Sequence, residues 1–97
     1  MVIEIRQTDR YARWFEKLRD RQARARILVR VRRLSLGNPG DVASVGDGVY
    51  EMRIDYGPGY RVYFKRHGMA FVVLLVGGNK RTQKRDIETA KELARNL

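Results

Sequence analysis

The fold is decided by residues 48–65, which read GVYEMRIDYGPGYRVYFK. Apolar and polar side chains alternate on both sides of a turn at Tyr56–Gly59, and this period of two is typical of β-strands. The alternation predicts two strands that each bury one face against a core. Six side chains form that face: Tyr50, Met52, Ile54, Tyr60, Val62 and Phe64.

The opposite face of these two strands is basic. The same alternation places Arg53, Arg61, Tyr63 and Lys65 on it, and we expect this face to be open to water. One charged residue on a strand face is usually only solvated, but several cations without an acidic cluster favour a function. Because Arg forks onto two phosphate oxygens and Lys supplies a point charge, the surface suits a phosphodiester backbone. Further basic residues after the next strand are expected to curl over it: Lys80, Arg81, Lys84 and Arg85.

Residues before and after these two strands in the chain include stretches with the apolar periodicity of α-helices. The predicted elements, in chain order, are a strand at 2–6, a helix from Thr8 to about Asp20, a helix at 21–36, an edge strand at 42–45, the two strands above, a central strand at 71–76 ended by Gly77-Gly78-Asn79, and a last helix capped by Thr82. We therefore predict an α+β fold, in which a small, mostly antiparallel sheet packs against an N-terminal helical hairpin and a C-terminal helix follows. Residues 1–97 are expected to form one domain.

Composition narrows the class of partner. The 97 residues are 43% hydrophobic and carry a net charge of +10, which is typical of a folded basic domain. Polyanions are the expected partners, with nucleic acid first, acidic protein segments second and a membrane surface last, because no stretch pairs a basic face with a broad, exposed apolar one. The chain has no cysteine, no signal-peptide pattern, and no apolar run longer than Ala70–Val76, so we expect a cytoplasmic protein.

The absence of familiar catalytic motifs narrows the chemistry. The sequence has no HExxH, no Walker lysine loop and no paired-carboxylate motif, so we expect neither a metal nor another cofactor. RNA permits a metal-free reaction because its own 2′-hydroxyl can attack the neighbouring phosphorus. Arg53, Arg61 and Arg81 are the candidates for charge stabilisation. Lys80 or Lys65 is the candidate acid or base, and Tyr63 is a further proton-handling candidate.

The second predicted helix adds a separate basic surface. Most of the excess positive charge lies in the first 36 residues, and Arg26, Arg30 and Arg33 follow one face of that helix. They form either a solvated surface or a contact for RNA or for an acidic partner segment.

Three motifs together resemble the RelE/ParE toxin superfamily and, within it, the HigB-like branch of addiction-module killer proteins. They are GVYEMRID at 48–55, GYRVYF at 59–64 and GGNKRTQKRDI at 77–87, and the resemblance covers essentially the whole chain. It implies a toxin of a type II toxin–antitoxin pair, usually a ribosome-dependent endoribonuclease that cuts mRNA. It also implies a cognate helix-turn-helix, HigA-like antitoxin, with which the toxin forms a hetero-oligomer.

The resemblance also suggests roles for individual residues. Arg61 and Arg81 match arginines implicated in phosphate stabilisation, whereas Arg53 and Lys80 match positions that are basic in ribonuclease members. One departure is that RelE itself has a tyrosine near the start of its last helix, where this chain has Lys84, Arg85 and Asp86. Either Tyr63 or a lysine replaces it, or the chain is a non-catalytic, ParE-like toxin that inhibits DNA gyrase. A protein that keeps the fold and the antitoxin contact without toxicity is a third reading.

Overall fold

A five-stranded sheet with helices on both faces forms the protein, for which a computed structural model describes residues 2–97. The elements are β1 (Glu4–Gln7), α1 (Asp9–Lys17), α2 (Arg21–Ser35), β2 (Val42–Gly46), β3 (Val49–Ile54), β4 (Tyr60–His67), β5 (Phe71–Gly78), a 3-10 turn (Lys80–Thr82) and α3 (Gln83–Arg95). The strand order is β1-β5-β4-β3-β2, with β1 parallel to β5 and the other neighbours antiparallel. The predicted α+β class and mostly antiparallel sheet are confirmed.

Polar caps set the limits of the N-terminal helical hairpin. The Thr8 hydroxyl accepts a hydrogen bond from the Tyr11 amide at 3.0 Å, as the sequence predicts for a helix start. The Asp20 carboxylate caps α2 by accepting from the amides of Gln22 and Ala23. Because an N-cap residue has an extended backbone, α1 ends at Lys17 and not near Asp20 as predicted. The first strand also begins later than predicted, at Glu4.

The two faces of the sheet carry separate hydrophobic clusters. Met52, Ile54, Val62 and Phe64 of the predicted core face are buried against α1 and α2, while Tyr50 lies at the margin with 36% of its surface exposed. The opposite face is not open to water as predicted, because the apolar side of α3 packs on it. An amphipathic helix must bury its apolar stripe, and this face of the sheet supplies the matching apolar surface.

β5 extends two residues beyond its predicted end at Val76 and passes between two helices. A bulge leaves Leu75 without a pairing partner on β4, and Gly77 and Gly78 follow it towards opposite faces of the sheet. A Cβ atom on Gly77 would overlap the ring of Trp14 in α1, and one on Gly78 would overlap the carboxylate of Asp86 in α3. Glycine is needed here because both helices approach the strand closely.

Replacing Gly77 by alanine tests this close approach. We expect Gly77→Ala to lower the free energy of unfolding by about 3 kcal/mol, since the added methyl group must displace an aromatic ring in a packed core. Urea denaturation measures the loss. Gly37→Ala is the matched control, because Gly37 has a positive φ of 84° and nothing within 4 Å of an added Cβ, so only about 1 kcal/mol is at stake. Equal losses in the two variants would contradict the packing argument.

Candidate functional site

A cleft of about 320 Å³ opens where the end of β3, the start of β4 and the 3-10 turn meet. Arg53 and Arg61 are directly opposite each other in the β3–β4 register, so the pleat directs both side chains to the same face of the sheet. Lys80 joins them from the 3-10 turn. The residues that line the cleft are Asp41, Arg53, Ile54, Asp55, Gly59, Arg61 and Lys80.

The carboxylate of Glu51 lies behind the two arginines, where only 1% of the residue is exposed. It accepts hydrogen bonds from Arg53 Nε at 3.1 Å, from the Tyr63 hydroxyl at 2.9 Å and from Gln83 Nε2 at 2.8 Å. Arg61 Nε lies 3.6 Å from its second oxygen. Burial alone would raise the pKa of Glu51, but the hydrogen bonds from Gln83, Arg53 and Tyr63 outweigh it and lower that pKa. Glu51 is therefore held as a carboxylate.

The two arginines differ in how much of each is free to meet a ligand. The side chain of Arg61 is 13% exposed, and its Nη1 donates to the carbonyl of Gly59 at 2.6 Å. Its buried Nε has no hydrogen-bond partner among the described residues. Arg53 is 43% exposed and has Asp41 3.7 Å from its Nη1. Arg53 is thus the more accessible cation, whereas Arg61 forms the floor of the cleft.

Carboxylates accompany the cations of the cleft, which corrects the expectation of a surface without acidic residues. Glu51 is paired with both arginines, and Asp41 and Asp55 line the opening. Sequence reasoning missed all three. The alternation in residues 48–65 was a signal for Glu51, because it places this residue on the same face as Arg53. Asp41 comes from a loop whose position depends on long-range packing, so no local pattern reveals it.

Tyr63 is not on an open surface. It is fully buried beneath α3, and its hydroxyl donates to Glu51. Burial, followed by the hydrogen bond to Glu51, raises the pKa of Tyr63 well above its ordinary value. A phenol in this position is a structural donor, because it is enclosed by packed side chains and already has a partner. The prediction that Tyr63 lies on a face open to water is therefore wrong, while its role in proton handling stays a prediction.

The 3-10 turn positions Lys80 and Arg81 through a cap at Asn79. The Asn79 side chain accepts from the Arg81 amide at 2.9 Å, and the Lys80 amide donates to the carbonyl of Pro58 at 3.4 Å. Thr82 is the N-cap residue of α3, as predicted, but its side chain makes no capping hydrogen bond, because its hydroxyl bonds to Asp86 and to the Asn79 carbonyl instead. Arg81, Lys84 and Arg85 are exposed on the turn and on the first turn of α3, and they do not line the cleft.

The remaining predicted RNA-binding residues lie away from the cleft. Lys65 pairs with Val49 at the far end of the hairpin, and its Nζ reaches the Ala94 carbonyl at 3.5 Å. Arg30 donates to the main-chain carbonyls of Arg53, Pro39 and Asp41, so it fastens α2 to the loop before β2. Arg26 lies over the Tyr56 ring at 4.7 Å. Lys65 is therefore distant from Arg53 and Arg61 along the strands, and Arg26, Arg30 and Arg33 line a separate surface on α2.

Across residues 2–97, no group of three or more His, Cys, Asp or Glu side chains is placed to hold a metal ion. No helix in the same range is long and apolar enough to cross a membrane.

The buried Glu51 carboxylate gives a pH-dependent prediction. Because its pKa is lowered in the folded state, Glu51 stabilises the fold at pH values above the ordinary 4.5, and this stabilisation is lost as the pH falls through the lowered pKa. We expect Glu51→Gln to cost about 3 kcal/mol at pH 7 by leaving buried donors and a buried guanidinium without their anion. The variant should also lose less stability than the wild type on acidification. Urea denaturation between pH 3 and 7 measures both effects.

Glu88→Gln is the control for this experiment, since Glu88 is exposed on α3. The Glu51 argument is contradicted if the two variants have the same stability at pH 7 and the same dependence on pH.

Two sequence comparisons with known proteins show the family of this chain. Residues 13–96 match a family described as phage-derived protein Gp49-like (DUF891). The chain is also 48% identical over 97 residues to an uncharacterized protein of Haemophilus influenzae, in an alignment that covers 100% of this chain and 98% of that protein. The Gp49-like proteins are a toxin–antitoxin-associated, RelE-like toxin family. This chain therefore belongs to the Gp49-like family.

Proposed function

We propose that the protein is the toxin of a type II toxin–antitoxin pair and acts as a ribosome-dependent, metal-independent endoribonuclease on mRNA. The observation that carries the proposal is the cross-strand pair Arg53–Arg61, held by the buried Glu51 at the base of an open cleft beside Lys80. Preorganised cations of this kind stabilise the extra negative charge of a phosphoryl transition state without reorganising during the reaction. The family assignment supports the same conclusion.

The proposed reaction is an attack within the RNA itself. The 2′-oxygen forms a bond to the adjacent phosphorus and the bond to the 5′-oxygen breaks, which leaves a 2′,3′-cyclic phosphate and a 5′-hydroxyl. The carboxylate of Asp41 or Asp55 accepts the 2′-hydroxyl proton, and the ammonium group of Lys80 supplies a proton to the leaving oxygen. Arg53 and Arg61 stabilise the phosphorane oxygens. In this proposal the chain supplies a proton acceptor, a proton donor and two cations that stabilise the negative charge of the transition state.

The surrounding exposed cations extend the RNA contact. Arg81 follows Lys80 directly, and Lys84 and Arg85 continue along the first turn of α3, so they lie next to the cleft along the chain. We assign these three residues to backbone contacts that position mRNA or ribosomal RNA. Lys65 and the α2 arginines are left out of this contact because they are placed elsewhere.

The proposal carries expectations about partners and location. The cognate antitoxin is expected to be a helix-turn-helix, HigA-like protein that forms a hetero-oligomer with the toxin, and the pair acts in the cytoplasm, where ribosomes and mRNA are present. No membrane is involved.

A second candidate is a non-catalytic, ParE-like toxin that inhibits DNA gyrase. The observation that favours it is the enclosure of Arg61, whose guanidinium is already engaged with Gly59 and Glu51. The burial of Tyr63 and the mixed charge of the cleft point the same way. In this reading Arg53 and Arg61 stabilise the sheet and make no contact with a reacting phosphate.

Cleavage on reconstituted ribosomes distinguishes the two candidates. We expect primer extension to show cuts in translated mRNA that need ribosomes, and we expect the upstream fragments to end in a 2′,3′-cyclic phosphate. Arg53→Ala is expected to slow cutting by about 100-fold, as for loss of one transition-state donor. Because Arg53 is partly exposed and Arg66 is exposed on β4 away from the cleft, Arg66→Ala is the matched control and should cut at the wild-type rate.

Intact mRNA together with arrested growth would contradict the nuclease and favour the gyrase candidate. In that case Arg53→Ala should remain toxic, and DNA supercoiling by purified gyrase should fall when the protein is added. Normal growth after induction without antitoxin would contradict both.

A further inference from the structure

A groove of about 480 Å³ runs along α2, separate from the cleft described above. We call it the α2 groove. It is lined by Ala25, Arg26, Val29, Arg30 and Arg33 of α2 and by Ile54 and Asp55 at the end of β3. The α2 residues recur at positions that share one side of a helix, so the groove is a continuous strip and not an isolated pit.

The groove is rich in positive charge that its own helix does not balance. Residues 21–35 contain six arginines and no acidic residue, so no Glu–Arg pair forms within the helix. Arg30 is held by three main-chain carbonyls, and burial is the main cause that lowers the pKa of Arg30, while Asp41 opposes the change and Arg33 adds to it. Asp55 brings one carboxylate to the wall. An occupant with several carboxylates would therefore be attracted to this strip.

Apolar side chains are exposed beside these arginines. Leu28 and Val29 of the same helix and Leu36 directly after its end have 56%, 48% and 53% of their surfaces exposed. Val29 and Ala25 line the groove directly, and Ile54 lies at its base. Phosphate and ribose offer little apolar surface, whereas the aliphatic side chains of a protein segment gain by burial here. The combination favours a peptide over RNA.

We propose that the α2 groove binds an acidic, amphipathic segment of the antitoxin, with its aliphatic side chains on Ala25 and Val29 and its carboxylates on Arg26 and Arg33. This inference rests on the proposed function, which identifies the partner as an antitoxin. The residues that line the groove indicate the charge and polarity of the segment that binds there. Helix-in-groove binding uses this arrangement of a central apolar contact and charged margins.

The α2 groove and the catalytic cleft share a wall. Ile54 and Asp55 line both, and Arg30 of the groove donates to the main-chain carbonyl of Arg53 in the cleft. A segment in the groove therefore lies against the end of β3 that carries Arg53, and it contacts Asp55 at the margin of the cleft.

Binding of the full-length toxin to the antitoxin encoded by the neighbouring gene tests the proposal. We expect Val29→Asp and Arg33→Glu each to weaken the dissociation constant by 10- to 100-fold in isothermal titration calorimetry, or about 1.4 to 2.7 kcal/mol. Val2→Asp and Arg13→Glu are the matched controls, because both residues are exposed outside the groove. The controls should change the constant less than threefold. Circular dichroism melting confirms that all four variants are folded.

Each other outcome contradicts a defined part of the argument. Wild-type antitoxin affinity in both groove variants overturns the docking site and leaves the toxin proposal intact. Equal losses in groove and control variants show attraction to net charge alone and also overturn it. Loss of binding to a single-stranded 12-nucleotide RNA, with antitoxin affinity retained, makes the groove an RNA surface. An antitoxin that does not bind the wild-type chain contradicts the proposed function itself.

Discussion

The carboxylate of Glu51 is enclosed between the sheet and α3, where it accepts hydrogen bonds from Arg53, Tyr63 and Gln83 and pairs with Arg61. A buried charge is costly unless every lone pair is satisfied, so this anion fixes the relative positions of the three elements that supply its partners. β3, β4 and α3 must meet at one point. The geometry of the cleft follows from that requirement, because the two arginines that line it are the same ones that neutralise Glu51.

The paired glycines at the end of β5 impose the second constraint. Gly77 admits the ring of Trp14 on one face and Gly78 admits the carboxylate of Asp86 on the other. α1 and α3 can therefore approach the central strand at its end, and the chain turns directly into the cap at Asn79 that presents Lys80 to the cleft. The motif at residues 77–87, one of the three that carry the family resemblance, thus begins with two glycines that are needed for helix packing.

Short-range patterns predicted the elements well because their physical causes are local. Alternation in residues 48–65 placed Arg53 and Arg61 on one face, and the structure pairs them across β3 and β4. The same patterns did not predict that α3 covers Tyr63. The apolar stripe of α3 indicates that one side of this helix is buried, but it does not show against which surface. The carboxylate of Asp41 at the cleft opening depends on the position of a loop that Arg30 holds from α2, more than ten positions earlier in the chain. Long-range contacts of this kind leave no periodic trace.

Net charge illustrates the same limit with a consequence for function. A charge of +10 indicates a polyanionic partner, but it does not show on which surface of the folded chain the excess charge lies. In the folded chain, however, the cations of the cleft are accompanied by Glu51, Asp41 and Asp55, whereas the arginines of α2 have no acidic residue on their own helix. The unbalanced charge therefore lies mainly where no reaction is proposed. The two surfaces are neighbours and not independent, because Ile54 and Asp55 line both and Arg30 of the groove donates to the main-chain carbonyl of Arg53.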